Sequence, residues 1–238
     1  MKKLLTLCLL ATWFLLGAAQ TGTLQGKRMV VFGDSYVANH REPKENTWHY
    51  KFAKKHGMDY VNFGRNGNCV ALDRSRFGEA MYKRYHQLPD SIDLLIMIAG
   101  HNDASLLDSI GIDNYRLRLG ELCDSLVERY PTANILFFTP WNGKDFETNN
   151  FHKIIDATLG VCGARSIPVF DAARNGNIFS NSDKFRSIYF QNGGVNDRAH
   201  LNAKGHDRFL PVAEAFILSH IQFEPAKETD TDTTQGGL

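Results

Sequence analysis

The sequence carries almost no excess charge of either sign. Its 27 basic and 26 acidic residues leave a formal net charge of +1 over 238 residues. Proteins that bind nucleic acid or another polyanion usually carry an excess of lysine and arginine, so the composition gives no support for such a partner. Hydrophobic residues make up 43% of the chain and charged residues 22%, which is typical of a globular protein with one sizeable core.

Cysteine is scarce as well, with four residues in the whole chain. Cys8 lies in an N-terminal apolar segment, which leaves Cys69, Cys123 and Cys162 for the rest of the chain. Their spacing fits none of the patterns that bind structural zinc. Because an odd number cannot pair completely, one disulfide with a free thiol and three free thiols both stay open. We interpret these cysteines as structural residues.

Long hydrophobic runs are absent except at the N-terminus. Lys2 and Lys3 precede an almost wholly apolar segment, residues 4–16, and the small residues 17–19 follow. This layout predicts a secretory signal peptide at residues 1–19, cleaved after Ala19, and therefore a secreted or periplasmic protein with no stable membrane association after cleavage. A permanent anchor is the alternative, but the run is short for a span of ~20 residues. Cys8 lies inside the run, which argues against a lipoprotein signal.

Short apolar segments alternate with amphipathic ones along the rest of the chain. Continuous apolar runs, of which 93–99 is the clearest, predict strands at residues 29–32, 60–63, 93–99, 134–139 and 167–170. Apolar residues at intervals of three and four predict helices at residues 47–56, 77–86, 112–130, 150–159 and about 202–220. Residues 171–200 look irregular.

This alternation predicts crossover connections and therefore a parallel sheet. The expected fold is a three-layer α/β/α sandwich around a five-stranded parallel sheet. The sequence shows no internal repeat and no linker, so we predict one domain at residues 27–223. The remaining residues, 224–238, are almost free of apolar side chains and are predicted to be disordered.

The residues that follow the predicted strands form the candidate site, because ligands of open parallel sheets bind at the carboxyl ends of the strands. Polar residues and glycines are concentrated there. They include, in chain order, Ser35, Gly64, Gly67, His101, Asn102 and Trp141, and then Asp197 and His200 in the loop before the last helix.

Three of these side chains have the chemistry of a serine hydrolase. Acyl transfer requires a nucleophile, a base that takes its proton, and a group that orients the base. Ser35 is the candidate nucleophile, and His200 is the candidate base because the ordinary pKa of histidine, about 6.5, suits proton transfer near neutrality. Asp197 stands three residues before His200, close enough in one loop to hold its Nδ1.

Four short motifs make the chain resemble a known family. The segments FGDSY, VNFGRNG, GHND and DRAH resemble the four sequence blocks of the SGNH hydrolase (GDSL-like lipase/esterase) family, in the family's order. The resemblance covers residues 29–220 and implies a flavodoxin-like α/β/α fold. It also implies a Ser35–His200–Asp197 triad and an oxyanion hole formed by the N–H of Ser35, the N–H of Gly67 and the side chain of Asn102.

The glycine of the second block is open to two assignments. Gly67 is the better match because Asn62 stands five residues before it, and Gly64 is the alternative. The first block departs from the family pattern, since Tyr36 follows the serine where leucine or isoleucine is commoner. Asp34 and Asp103 are expected to hold their own loops by accepting backbone N–H groups.

Four further residues are candidates for substrate binding. Tyr36 is expected to shape the pocket, and His101 either lines the site or is structural. Trp141 is interpreted as an exposed indole that stacks on a sugar ring, with packing beneath its loop as the alternative. Arg65, like Arg198, flanks the candidate site and meets either an acidic sugar or solvent.

These observations predict a secreted serine esterase that removes small acyl groups, most simply acetyl, from carbohydrates. The GHND motif resembles that of secreted carbohydrate acetylesterases in the family. No metal or organic cofactor is required by this chemistry. A lipid esterase, such as a lysophospholipase or thioesterase, is one alternative, and a non-catalytic carbohydrate-binding or scaffold protein is the other. The oligomeric state is not predicted.

Overall fold

The computed structural model describes residues 24–141 and 150–223. The predicted signal peptide and the predicted disordered tail lie outside the described residues, as does the polar segment 142–149. Residues 24–221 cluster into one compact unit. Among the described residues, no helix combines the length and the apolar character that a membrane span requires.

Five parallel strands form a single sheet, as predicted. The strands are β1 (Arg28–Gly33), β2 (Asp59–Gly64), β3 (Leu94–Ile98), β4 (Asn134–Phe138) and β5 (Val169–Phe170). Their order is β2-β1-β3-β4-β5, so the chain moves from β1 to one side and then crosses to the other. The carboxyl ends of β1 and β3 therefore border the crevice in which open parallel sheets bind their ligands.

Helices connect the strands and cover both faces of the sheet, which confirms the three-layer sandwich. They are α1 (Ser35–Ala38), α2 (Trp48–Lys55), α3 (Met81–Arg84), α4 (His101–Ser105), α5 (Leu107–Ile110), α6 (Ile112–Arg129), α7 (Phe151–Gly163), α8 (Ala172–Asn175), α9 (Asp183–Tyr189) and α10 (Ala203–His220). Single 3₁₀ turns occur at Lys44–Asn46, Tyr85–Gln87 and Gln191–Gly194.

The alternation of side chains along each strand explains why both faces are covered. Val30 and Phe32 of β1 point to the side of α6 and α7, where Tyr115 and Ile154 are buried with them. On the other side, Phe138 of β4 packs against α2 and α10, and its ring centre lies 4.8 Å from that of Trp48. Because each face buries an apolar row, the strands read as continuous hydrophobic runs.

Two predicted segments differ from the structure. The helix predicted at residues 77–86 begins only at Met81, because Gly78 has a left-handed φ of 83° and Ala80 is extended. The stretch predicted to be irregular contains α8 and α9. Asp171 and Ser182 begin these two helices by accepting a backbone N–H with their side chains, a capping pattern that stabilises a helix start.

Candidate active site

Ser35 is the first residue of α1, directly after a sharp turn at the end of β1. The turn needs Gly33, because a Cβ there would lie 2.0 Å from the carbonyl oxygen of Ile98 on the neighbouring strand. Asp34 caps the helix, and its Oδ1 accepts the backbone N–H of Tyr36 at 2.9 Å. These constraints fix the Ser35 side chain at the carboxyl edge of the sheet, where it is 7% exposed.

A chain of hydrogen bonds connects Ser35 to His200 and Asp197. The Nε2 of His200 lies 2.8 Å from the Ser35 Oγ, and its Nδ1 lies 2.9 Å from Asp197 Oδ2. Asp197 Oδ1 also accepts the backbone N–H groups of Ala199 and His200. Burial raises the pKa of Asp197, but the hydrogen bonds from His200 and the two N–H groups outweigh it and hold the pKa below its usual value. Asp197 is therefore a carboxylate at neutral pH.

Trp141 supports the loop that carries these two residues. Its indole N–H donates to the Ala199 carbonyl, between Asp197 and His200, at 2.6 Å. The expectation of an exposed indole is wrong, because the side chain is 2% exposed. Its ring also packs on Tyr36, with ring centres 4.5 Å apart. Trp141 thus points under the loop, where its indole N–H donates to a buried carbonyl.

Buried Tyr36 and half-buried His101 form a polar pair beside Ser35. The Tyr36 hydroxyl donates to the Trp141 carbonyl at 3.3 Å and lies 3.1 Å from His101 Nδ1. Burial, and to a lesser degree the nearby His200, lowers the pKa of His101 to about 4. His101 is therefore neutral near pH 7, and its Nδ1 shares a hydrogen bond with the tyrosine hydroxyl. Tyr36, at 2% exposure, closes this side of the site.

The backbone distinguishes the two glycines of the second block. The N–H of Gly64 already donates to the Asn62 side chain at 2.9 Å, and a Cβ at Gly64 would lie 2.2 Å from the backbone nitrogen of Ala38. Gly64 therefore allows α1 to approach β2. Gly67 has a left-handed φ of 71°, and among the described residues no protein acceptor takes its N–H.

Asn102, in α4, links the loops that follow β1 and β2. Its Nδ2 donates to the carbonyl of Asn68 at 3.0 Å and to Asp34 Oδ2 at 3.3 Å. The side chain thus lies between the residue after Gly67 and the residue before Ser35. The second of these hydrogen bonds is long for a charge-assisted contact, so this N–H is the one that a better acceptor can claim.

Three buried charged groups lie beneath this part of the site. Burial, with a smaller contribution from the nearby Asp103, raises the pKa of Asp34 to about 7 against the opposing hydrogen bond from the Tyr36 N–H. Asp103 accepts the N–H groups of Val70 and Ala71, so it holds the loop after β2 rather than only its own loop. The pKa of Asp103 is raised by burial to about 6.

Arg84 is the cation of this cluster. Its Nη2 donates to the carbonyls of Gly33 and Phe63 at the ends of β1 and β2, at 2.8 and 3.1 Å. Its Nε donates to the side chain of Asn68 at 2.8 Å. One guanidinium therefore satisfies carbonyls at the point where the two strands separate.

Within the described part of the chain, the two arginines predicted to bind substrate make no contact with the Ser35–His200–Asp197 triad through a hydrogen bond. Arg65 extends towards Gly78, where an added Cβ would lie 2.5 Å from its Nη1. Arg198 is exposed and lines a polar cavity of about 320 Å³ with Arg186. Among the described residues, neither guanidinium forms a hydrogen bond with Ser35, His200 or Asp197.

His40 joins the site, although no sequence pattern indicates it. Its ring stacks on that of His200, with centres 4.3 Å apart and planes inclined by 13°. The donor atoms of His40, Asp197 and His200 lie within 4.8 Å of one another. However, an imidazole binds a metal in the plane of its ring, and two nearly parallel rings have no common point for one ion. The geometry therefore favours stacking over metal binding.

Solved structures share this fold. An M. smegmatis aryl esterase is 17% identical and superimposes with a TM-score of 0.61, covering 82% of this chain and 100% of that chain. A carbohydrate acetylesterase from Sinorhizobium meliloti is 17% identical with a TM-score of 0.58, covering 80% and 98%. A Lactobacillus plantarum protein is 23% identical with a TM-score of 0.71, covering 83% and 99%. At these identities the likeness establishes the SGNH hydrolase fold.

The family follows from the sequence itself. Residues 31–208 match the model of the GDSL-like lipase/acylhydrolase family, so the chain belongs to this family, and the resemblance inferred from the four motifs is confirmed. Membership implies an esterase or acylhydrolase, an enzyme that cleaves acyl esters. No curated protein sequence matches the chain significantly.

Proposed function

We propose that the protein is a serine esterase that removes small acyl groups, most simply acetyl, from carbohydrates. The observation that carries the serine mechanism is the chain of hydrogen bonds from Ser35 Oγ through the imidazole of His200 to Asp197. Nucleophile, base and orienting carboxylate are in contact before any substrate binds, as general-base activation of a serine requires.

The reaction follows from these contacts. Ser35 Oγ attacks the ester carbonyl carbon while its proton passes to Nε2 of His200, and Asp197 stabilises the imidazolium. When the tetrahedral intermediate collapses, His200 returns the proton to the oxygen of the departing sugar hydroxyl. Water then attacks the acyl-enzyme with His200 again as base, which releases the acid and restores Ser35.

The proposed oxyanion hole comprises the N–H groups of Ser35 and Gly67 and the side chain of Asn102. The free N–H of Gly67 and the committed N–H of Gly64 favour Gly67 for this role. For Asn102, the oxyanion replaces the long hydrogen bond to Asp34. Removal of one such donor costs about 10²–10³ in turnover in other acyl-transfer enzymes, and we expect Asn102→Ala to lower kcat by that amount.

Two features support a small acyl group on a carbohydrate. Tyr36, His101 and the Trp141 backbone are joined by hydrogen bonds beside the nucleophile, which leaves little freedom to open a channel for a long chain. A structural relative is described as a carbohydrate acetylesterase. The predicted signal peptide supports action outside the cytoplasm, where we propose that the protein encounters polysaccharide substrates.

The decisive experiment compares p-nitrophenyl acetate with p-nitrophenyl octanoate. The purified protein should hydrolyse the acetate with the higher kcat/KM, and Ser35→Ala should abolish both reactions. Faster hydrolysis of the octanoate would instead support a lipid esterase. A wild type inactive on both esters and on acetylated polysaccharides would support a non-catalytic protein.

A pH profile tests the proposed base. Because His200 must be neutral to accept the Ser35 proton, kcat/KM should fall on acidification. A rate that stays constant from pH 8 to pH 5 would exclude His200 as the base. Release of acetate from a panel of acetylated polysaccharides would then identify the carbohydrate.

A further inference from the structure

His40 has a backbone conformation that its side chain disfavours. Asn39 and His40 have φ values of 65° and 50°, in the left-handed region that most residues other than glycine and asparagine avoid. Two such residues in succession end α1, four and five positions after Ser35. Strain of this kind persists only where surrounding structure enforces it, and it clusters at functional sites.

A buried polar cluster enforces this conformation. Gln191 Nε2 donates to the carbonyl and side-chain oxygens of Asn39 at 3.1 and 3.2 Å. His206 Nε2 lies 3.1 Å from the same side-chain oxygen, and the Asn39 amide donates to Pro43 at 2.7 Å. Asn39, Gln191 and His206 are 2%, 4% and 2% exposed, so these hydrogen bonds form where unpaired polar groups are costly.

The same cluster holds the backbone around His200. The Gln191 N–H donates to the His200 carbonyl at 2.9 Å, and its side chain donates to the Leu201 carbonyl at 3.2 Å. Gln191 therefore contacts both the residue before His40 and the segment that carries His200. The segments that carry the two histidines therefore share one buried hydrogen-bonding partner.

We propose that His40 is a positioning residue for His200. This inference rests on the proposed serine mechanism, in which His200 is the base. The His40 ring lies flat on the imidazole and restricts its rotation about χ2, so that Nε2 stays on Ser35 while Nδ1 stays on Asp197. It also covers one face of the imidazolium that forms during acyl transfer, where the π-electrons of a neutral ring favour the charge.

The test compares ring-bearing and ringless variants of the full-length protein. Stacked aromatic pairs contribute an amount that corresponds to roughly 3- to 10-fold in rate. His40→Ala and His40→Gln should therefore lower kcat for p-nitrophenyl acetate about 3- to 10-fold, with KM changed less than about twofold. His40→Phe keeps a flat ring and should retain most of the activity. All three variants are non-glycine residues at the same left-handed position, so backbone strain is comparable among them.

His220→Ala is the matched control. His220 also contacts an aromatic ring, that of Phe216, with centres 4.3 Å apart and planes inclined by 38°, but it ends α10, 14 residues after His206 along the helix. That separation is about 21 Å at 1.5 Å per residue. Its removal should leave kcat and KM unchanged, while circular dichroism compares the folding of all variants.

Three outcomes would overturn the proposal. Wild-type kcat in folded His40→Ala and His40→Gln would exclude a positioning role. A loss in His40→Phe as large as in His40→Ala would show that the ring does not act by stacking. An effect confined to the melting temperature would mark His40 as structural. Failure of the serine mechanism is separate, because Ser35→Ala would then remain active whatever His40 does.

Discussion

The strength of the hydrogen bond from the Trp141 indole to the Ala199 carbonyl can be measured by replacing the indole with a phenyl ring, which has no N–H. Trp141→Phe leaves an aromatic ring in place but deprives the buried Ala199 carbonyl of its donor at 2.6 Å. A buried acceptor without a partner costs about 1–3 kcal/mol. The packing loss must be separated from this amount, since the substitution also removes part of a buried ring system.

Trp48→Phe provides that separation. Trp48 is 0% exposed and Trp141 is 2% exposed, so the two substitutions remove the same atoms from comparably buried positions. Among the described residues, however, the Trp48 indole nitrogen has no hydrogen-bond partner. The difference between the two changes in unfolding free energy therefore contains the Trp141 hydrogen bond together with the relief of the unpaired Trp48 N–H, and Trp141→Phe should be the less stable variant by about 1–3 kcal/mol from the hydrogen bond alone.

Thermal and urea unfolding measure the difference, and ester hydrolysis measures its consequence. At about 2–4 °C per kcal/mol for a domain of this size, the melting temperatures should differ by roughly 2–12 °C. Trp141→Phe should also lower kcat, because the loop that carries Asp197 and His200 loses an anchor, whereas Trp48→Phe should not. Equal losses of stability together with equal kcat values would refute the reasoning.

Two further predictions concern stability. Gly64→Ala should destabilise the protein by about 2 kcal/mol or more and impair hydrolysis, because its Cβ would lie 2.2 Å from the Ala38 nitrogen in α1, and only a backbone shift relieves this overpacking. Gly160→Ala, with nothing within 4 Å of its Cβ, should instead stabilise α7 by about 0.5–1 kcal/mol. Equal melting temperatures of the two variants would contradict both predictions. Burial lowers the pKa of His49 to about 3, so the unfolded state binds more protons as pH falls below the ordinary histidine value of about 6.5, and His49 weakens the fold on acidification. Urea unfolding at pH 7 and pH 5 should therefore show that His49→Gln loses about 2 kcal/mol less than the wild type over this interval, and identical losses would exclude the assignment.

The sheet was predictable because its three central strands, β1, β3 and β4, bury both faces. Residues 93–99 lack the regularly spaced polar positions of an amphipathic helix or an exposed strand, and the structure has β3 at Leu94–Ile98. The strand ends then indicated where the site lies. Ser35, Asp197 and His200 come together at hydrogen-bonding distance, although their catalytic roles stay a prediction until the variants are measured.

The remaining features depend on contacts between residues distant in the sequence. Arg84 lies in a short helix, yet it is 3% exposed and hydrogen-bonded to the ends of two strands. Trp141 is predicted to be an exposed indole because the sequence does not show that the Ala199 carbonyl lies within reach of its N–H. The position of the His40 ring depends on the left-handed conformations of Asn39 and His40, which the side chain of Gln191, 152 positions after Asn39, holds in place. No local pattern encodes such partners.

The 165-residue separation between Ser35 and His200 has a consequence for the order of events during synthesis. All five strands are complete by Phe170, so every strand is synthesised before His200, the proposed base. Ester hydrolysis therefore reports closure of the whole chain rather than synthesis of the strands. Chains that end before residue 200 should hydrolyse nothing, which makes the enzyme silent until its final helix has emerged.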